Sequence, residues 1–456
     1  MTHAFDPTIL REYDVRGVVG TTLHEADAFA IGRGFATCVR RASGTRVAVG
    51  YDGRLSSPAL EGALVAGLTA SGVDVVRIGL GPTPMLYYAE AHLGVDGGIQ
   101  ITGSHNPADQ NGFKFVLRHA PFFGAELQHL ATLARTGDWS EGAGTVTEAD
   151  VLDAYVDRLM AGHTGGAYRI GWDTGNGASG PVIERLVKRL PGEHHLLFTE
   201  VDGTFPNHHP DPSEAENLAD LKALVVREKL DFGFAFDGDG DRVGAIDGQG
   251  RVLAGDQILA VLAEPVLRDL PGATIIGDVK MSGALFDRVR DFGGVPLMWK
   301  TGHSHMKAKL AETGAPLAGE MTGHVFFGQD FYGVDDAQYA AVRMIDAVHR
   351  SGRSLADLRD AMPVMINTPE LRFSVDEARK FAVVEEVLAR LTAEGATVNR
   401  TDGARVDTAD GWWLLRASNT QSALVARAEA RDQAGLDRLL AQIDAQLAAS
   451  GIARPR

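Results

Sequence analysis

The sequence predicts an α/β protein made of three strand–helix sets and a smaller α+β unit, and three observations carry that expectation. Short apolar runs alternate with longer amphipathic segments through most of the 456 residues, the pattern of largely parallel strands. Each of three sets closes on a strand that runs directly into a polar loop. From about residue 363 the pattern changes to strand-like runs with two helices. A chain this long exceeds what one hydrophobic core usually holds, so several domains are expected.

In the first set, residues 46–50 read as a strand, 57–71 as a helix, and 73–78 and 98–101 as further strands. The last of these runs into 102–107. The second set opens with a strand at 168–172 and a helix at 181–190, and closes with a strand at 231–236 that delivers Asp237. The third has strands at 273–277, 295–299 and 315–318, the last delivering 319–324. The final unit carries helices at about 375–394 and 433–449 and a loop after Trp412 and Trp413, which read as packing residues. Ligands of open α/β sheets sit at the carboxyl ends of strands, and all three polar loops fall there.

Composition narrows the partners. Hydrophobic residues make up 45% of the chain and charged residues 23%, an ordinary globular balance. The 44 Lys and Arg against 60 Asp and Glu leave a net charge of −16, which argues against nucleic acid and anionic membranes as partners. An anionic ligand would then need its own local basic cluster. Cys38 is the only cysteine, so no intrachain disulfide forms. The first seven residues lack the basic-then-apolar pattern of a signal peptide, and no apolar run approaches a membrane span. A cytoplasmic protein is expected.

The strongest chemical signal is Asp237-Gly238-Asp239-Gly240-Asp241-Arg242. Three carboxylates at alternating positions, spaced by glycines, let a tight loop turn its oxygens onto one hard cation. The EF-hand pattern fails, because Arg242 and Gly248 occupy the positions that need Gly and Glu. Clustering three like charges after an apolar strand is costly without a cation. Arg242 is placed to bind a phosphoryl oxygen.

Thr102-Gly103-Ser104-His105-Asn106-Pro107 follows a strand and presents a serine at the mouth of a loop. It is not a G-x-S-x-G elbow. By spacing alone Ser104 reads equally as a helix N-cap with Pro close behind. The metal loop favours the nucleophile, since a divalent cation neutralises a phosphoserine and prepares it for transfer. No Gly-Lys dipeptide exists, which excludes a P-loop. Arg416-Ala417-Ser418-Asn419-Thr420-Gln421 offers a guanidinium, hydroxyls and an amide, a good phosphate cradle. Residues 319–324 alone read as a structural turn. His303 and His305 have ligand spacing but read as solvated loop residues, and His194-His195 and His208-His209 as surface features.

With these four loops in order, the chain resembles the α-D-phosphohexomutases along essentially its whole length, and within them the bacterial phosphomannomutase/phosphoglucomutase group. Met321 after Glu320 points to that group, whereas Thr322 stands where Ser is commoner. The resemblance implies four domains around a central cleft, set here at 1–147, 148–252, 253–362 and 363–456. Each domain would contribute one loop. It implies a phosphorylated Ser104 and Mg²⁺ held by Ser104, Asp237, Asp239 and Asp241. His105, Lys114, Arg242 and His303 would serve catalysis. Tyr13, Arg16, Lys280, Glu320, Thr322, His324, Arg416, Ser418, Asn419 and Thr420 would bind substrate. The implied reaction moves phosphoryl between the 1- and 6-positions of mannose or glucose phosphate through a bound hexose 1,6-bisphosphate. The implied partners are small hexose phosphates alone, and the implied state is a monomer or weak homodimer. Phosphoglucosamine mutase, a metal-dependent phosphatase and a non-catalytic sugar-phosphate binder are the competing readings.

Overall fold

The computed structural model describes residues 2–418 and 422–454, organised on four separate sheets. The first sheet runs in the order Val15–Val18, Gln110–Leu117, Gly97–Ile101, Arg46–Tyr51, Asp74–Leu80, Val146–Glu148. The strands Arg46–Tyr51, Asp74–Leu80 and Gly97–Ile101 are parallel, as their buried apolar runs predict. The second sheet has Tyr168–Asp173 parallel to both Gly192–Leu197 and Phe232–Phe236. In the third, Thr274–Asp278 lies parallel to Val295–Trp299 and Leu317–Gly319. The fourth sheet is antiparallel and carries the helices Glu377–Ala393 and Gln433–Ala448.

One local device recurs in the first three sheets. A parallel strand turns back as an antiparallel neighbour: Gly97–Ile101 into Gln110–Leu117, Phe232–Phe236 into Val243–Asp247, and Leu317–Gly319 into Val325–Phe327. The three turns are the loops 102–109, 237–242 and 320–324. In the fourth sheet Gly411–Ala417 and Ala423–Ala430 are antiparallel neighbours.

One buried apolar cluster runs through the first three units, with Met85, Trp172 and Val342 among its members, and close polar seams add to the joins. Between the second and third, Arg242 and His324 form a β-bridge, and Val243 N donates to Gly323 O at 3.1 Å. The fourth unit docks on the third through Arg405, which is 2% exposed. Its Nη1 donates to the carbonyls of Val279 and Met281, both at 2.7 Å, and its guanidinium stacks 3.8 Å from the Trp412 ring centroid. Burial pushes the Arg405 pKa down to about 10, so the group stays cationic at neutral pH. Glu429 extends the seam by accepting from Ser282 Oγ, Gly283 N and Trp412 Nε1. Among the described residues no helix is long and apolar enough to cross a membrane.

Arg405→Met would leave two buried carbonyls without a donor, a loss of about 1–3 kcal/mol for each such group. Limited proteolysis is expected to cut the segment 363–370 faster than in the parent chain, with far-UV circular dichroism unchanged.

Candidate active site

The three aspartates of the second loop are fully buried, and their carboxylates approach within 4.8 Å of one another. Gly238 permits this, because a Cβ there would lie 2.4 Å from the carbonyl oxygen of Ser104. The first loop therefore rests directly on the second. Ser104 Oγ donates to Asp237 Oδ2 at 2.9 Å. Lys114, opposite Gln100 in the first sheet, donates to Asp239 Oδ2 at 2.7 Å and also bonds Asp241. Thr83 Oγ1 donates to Asp239 as well.

The electrostatics follow from this crowding. Burial and the neighbouring Asp241 and Asp239 push the Asp237 carboxyl well above the usual range. Burial also works against Asp239, but Lys114 outweighs it and holds that carboxyl down. Lys114 itself is raised despite its burial, by Asp239 and Asp241, so it is a fixed ammonium. Asp239 Oδ1 and Asp241 Oδ1 are buried without a hydrogen-bond partner. Oxygen-only donors, unsatisfied acceptors and an excess of negative charge together fit a hard divalent cation held by Asp237, Asp239, Asp241 and the Ser104 oxygen.

Ser104 is not a helix cap. The chain passes from it through turns into the strand Gln110–Leu117, and no helix follows. Its backbone sits in the left-handed region at φ 50°, a conformation a serine keeps only when its surroundings impose it. Arg54 imposes it. This guanidinium is 1% exposed and donates to the carbonyl oxygens of Ser104, Asn106, Pro107 and Gln110 at 2.5–2.8 Å. Asp52 pairs with Arg54 at 3.2 Å and accepts from Gly103 N. Neither residue emerged from the sequence, although an Asp-Gly-Arg run after the strand 46–51 was a usable signal. Arg16 braces the same loop, donating to Gly103 O at 3.1 Å and Asn106 Oδ1 at 2.8 Å, with its Nε on Asp14.

His105 Nδ1 lies 3.4 Å from Ser104 Oγ. Burial, then Arg242, Arg16 and Lys114, hold its pKa well below the ordinary value, which makes it a neutral imidazole. Arg242 Nε donates to His324 Nε2 at 3.0 Å. Glu320, 2% exposed, accepts from Gly302 N at the start of the helix His303–Thr313. Its pKa is raised, chiefly by burial. Thr322 lies half-buried on the same turn.

The histidines at 303 and 305 are not solvated loop residues. They occupy the first turn of that helix, where His303 faces Asp335 and His305 packs edge-on to Tyr13 and Phe123. They diverge, so they make no ligand pair. His194 and His208 are also half-buried, bonded to Trp172 and Asp173. Trp412 and Trp413 are buried packing residues, as expected.

Tyr13 of the first unit and Arg416 of the fourth are linked through Thr301 and Asp402. Tyr13 OH donates to Thr301 O at 3.0 Å, and Thr301 N donates to Asp402 Oδ2. That oxygen also accepts from Arg416 Nε at 2.9 Å. Asp402 thus aims the guanidinium of the fourth loop from behind. Ser418 is buried, its N on Ala423 O. Asn419 and Thr420, with Gln421, lie outside the described residues. Lys280 pairs with Glu370 at 2.9 Å.

Arg54→Met would strand four carbonyls and Asp52 in the interior, a class of change that costs about 3–5 kcal/mol. The urea midpoint of unfolding is expected to fall accordingly; an unchanged midpoint would remove Arg54 from this role.

The chain matches four descriptions of one family in order: "Phosphoglucomutase/phosphomannomutase, alpha/beta/alpha domain I" over residues 7–140, domain II over 153–250, domain III over 254–365, and the C-terminal domain over 370–446. It is 43% identical to a phosphomannomutase/phosphoglucomutase of Pseudomonas putida, with 96% of this chain and 94% of that protein covered. A phosphoglucomutase of Neisseria gonorrhoeae is 42% identical over 94% of this chain and 95% of its own. The crystal structure of a phosphoglucomutase/phosphomannomutase family protein from Burkholderia thailandensis superposes with a TM-score of 0.93 at 44% identity, covering 98% of both chains. Matched in all four units and along nearly its whole length, the chain belongs to the phosphoglucomutase/phosphomannomutase family.

Proposed function

We propose that this protein is a reversible hexose-phosphate mutase that moves a phosphoryl group between the 1- and 6-positions of mannose or glucose phosphate. The observation that carries the reading is the contact of Ser104 Oγ with Asp237 inside a buried three-carboxylate cluster. A serine so placed is suited to carrying phosphate, and the family relatives named as mutases support the assignment. The four units are taken as 1–147, 148–252, 253–362 and 363–456.

Phosphorylated Ser104 transfers its phosphoryl to the free hydroxyl of a bound hexose phosphate. The Oγ–P bond breaks, the sugar O–P bond forms, and the hydroxyl proton leaves to a base. His105 and His303, both kept neutral chiefly by burial, are the candidates for that proton. Mg²⁺ on the aspartates would supply charge neutralisation at the phosphoserine. Lys114 adds a fixed positive charge, and Arg242 and Arg16 stand ready for phosphoryl oxygens.

Glu320 and Thr322 would hold sugar hydroxyls, and Tyr13, His324 and Lys280 would also bind substrate. Arg416, Ser418, Asn419 and Thr420 would hold the phosphate that is not reacting. With one serine and one distant cradle, the 1,6-bisphosphate must turn over before its second phosphate returns to Ser104. Chemistry of this kind depends on positioning and charge more than on covalent activation.

Ser104→Ala is expected to reduce conversion of glucose 1-phosphate to glucose 6-phosphate by on the order of 10³-fold or more. Intact-mass measurement of the parent enzyme should find one phosphate on the peptide containing Ser104. Near-parental turnover in the variant would refute the reading. EDTA should abolish turnover, with Mg²⁺ restoring it and Ca²⁺ failing to, because the larger ion prefers longer bonds and more ligands.

A further inference from the structure

The loop 237–242 is gripped by a residue that none of the four loops contains. Gln338 lies in the first turn of the helix Ala337–Ser351, in the third unit, and is fully buried. Its Nε2 donates to Ser179 Oγ at 2.7 Å and to Gly240 O at 3.2 Å. Gly240 is the residue between Asp239 and Asp241. Its backbone stands at φ 72°, and a Cβ there would lie 2.5 Å from Gln338 Nε2 and 2.4 Å from Ser179 Oγ. Only a glycine lets the loop press this closely on the amide.

The orientation of the amide follows from its partners. A carbonyl oxygen can only accept, so the NH₂ end of Gln338 must face Gly240. Its two hydrogens then match two acceptors, Gly240 O and Ser179 Oγ. The Oε1 end faces Tyr155 OH, which donates to Asp336 Oδ2 at 2.7 Å and shares its hydrogen with Gln338 Oε1 at 3.1 Å. Both ends of the side chain are engaged, and Gln338 cannot swing away without stranding buried polar groups.

The Gly240 carbonyl belongs to the peptide plane that also carries the Asp241 N–H, and in a trans peptide the two point in opposite directions. Gln338 takes the oxygen. Asp237 Oδ1 takes the N–H at 3.0 Å, together with Arg242 N at 3.1 Å. Fixing the plane therefore fixes how one carboxylate is turned toward the others. We propose that Gln338 is a positioning residue for the cation loop: by holding the Gly240 carbonyl it sets the peptide plane that orients the Asp237 carboxylate. Its effect on turnover rests on the mutase reading, in which the cation serves the phosphoserine; its effect on cation affinity does not.

Gln338→Met keeps the length of the side chain and offers no donor. The probe is Mn²⁺, a paramagnetic stand-in for Mg²⁺ that takes the same oxygen ligands. Titration of the apo protein, with free Mn²⁺ read by electron paramagnetic resonance, is expected to show affinity about tenfold weaker in the variant, as for other partners that stand behind a metal ligand. Ser179→Ala is the control. It removes a buried hydrogen bond of the same amide but spares the bond to Gly240, so its Mn²⁺ affinity should equal the parent's. Gln338→Asn retains an amide one methylene short of Gly240 and should weaken binding in the same direction, which keeps the test open where the methionine variant fails to fold. With glucose 1-phosphate, the Mg²⁺ concentration for half-maximal turnover should rise by the same factor, while KM and the turnover number at saturating Mg²⁺ change less than about threefold.

Parental Mn²⁺ affinity in a folded Gln338 variant would overturn the proposal, and so would an equal loss in Ser179→Ala, the mark of a residue that merely packs. A parent chain that binds no Mn²⁺ overturns the cation site and the proposal with it. A parent that binds Mn²⁺ but turns over no hexose phosphate sinks the mutase reading alone, and the affinities of the variants still decide the role of Gln338.

Discussion

Taking a carboxylate out of water costs several kcal/mol unless cations or hydrogen-bond donors replace the water it loses, and residues 237–241 take three of them to zero exposure within 4.8 Å of one another. The rest of the cleft is arranged around that charge. Lys114 reaches in from the first unit to two of the three, and Thr83 and Ser104 add hydroxyl donors. Even so, Asp239 and Asp241 each keep an unsatisfied oxygen. A cation site and a serine presented to it are two consequences of one electrostatic demand. The same demand accounts for a basic cluster inside a protein whose net charge is −16.

Three sheets solve the problem of presentation in the same way. A parallel strand ends, the chain turns, and an antiparallel neighbour returns. The turn is held at both ends by sheet hydrogen bonds, so a side chain on it is placed more firmly than one on a free loop. The second and third turns are further tied together by the bridge of Arg242 with His324. In the fourth unit, whose described strands are antiparallel, Asp402 stands behind Arg416 at the end of the strand Gly411–Ala417. What differs among the loops is chemistry, and what repeats is the mounting.

The stress on Ser104 shows how far the mounting goes. A serine at φ 50° would relax in a short peptide. Here one buried guanidinium gathers four carbonyl oxygens of its loop, and Asp52 both balances that charge and takes the N–H of Gly103. Arg54 never touches the cleft, but the loop has this shape because of it.

Strand–helix alternation, the four loops and their order were legible in the sequence, because each rests on residues adjacent in the chain. Asp-Gly-Asp-Gly-Asp declares a cation site by composition and spacing alone. The residues that went unread, Asp52, Arg54, Asp335 and Asp402, act on partners from other segments, as Asp402 does on Thr301 101 positions away, or on backbone carbonyls, which carry no side-chain signature. Ser104 marks the boundary between the two kinds of information. Its local spacing suited a helix cap as well as a nucleophile, and the local chain had no means to choose. Only the tertiary structure decided, by running the chain into a strand with no helix to cap and by seating the hydroxyl against Asp237. The physical reason is that the acceptor of the serine hydroxyl lies in another unit, 133 positions along the chain, where no local pattern can announce it.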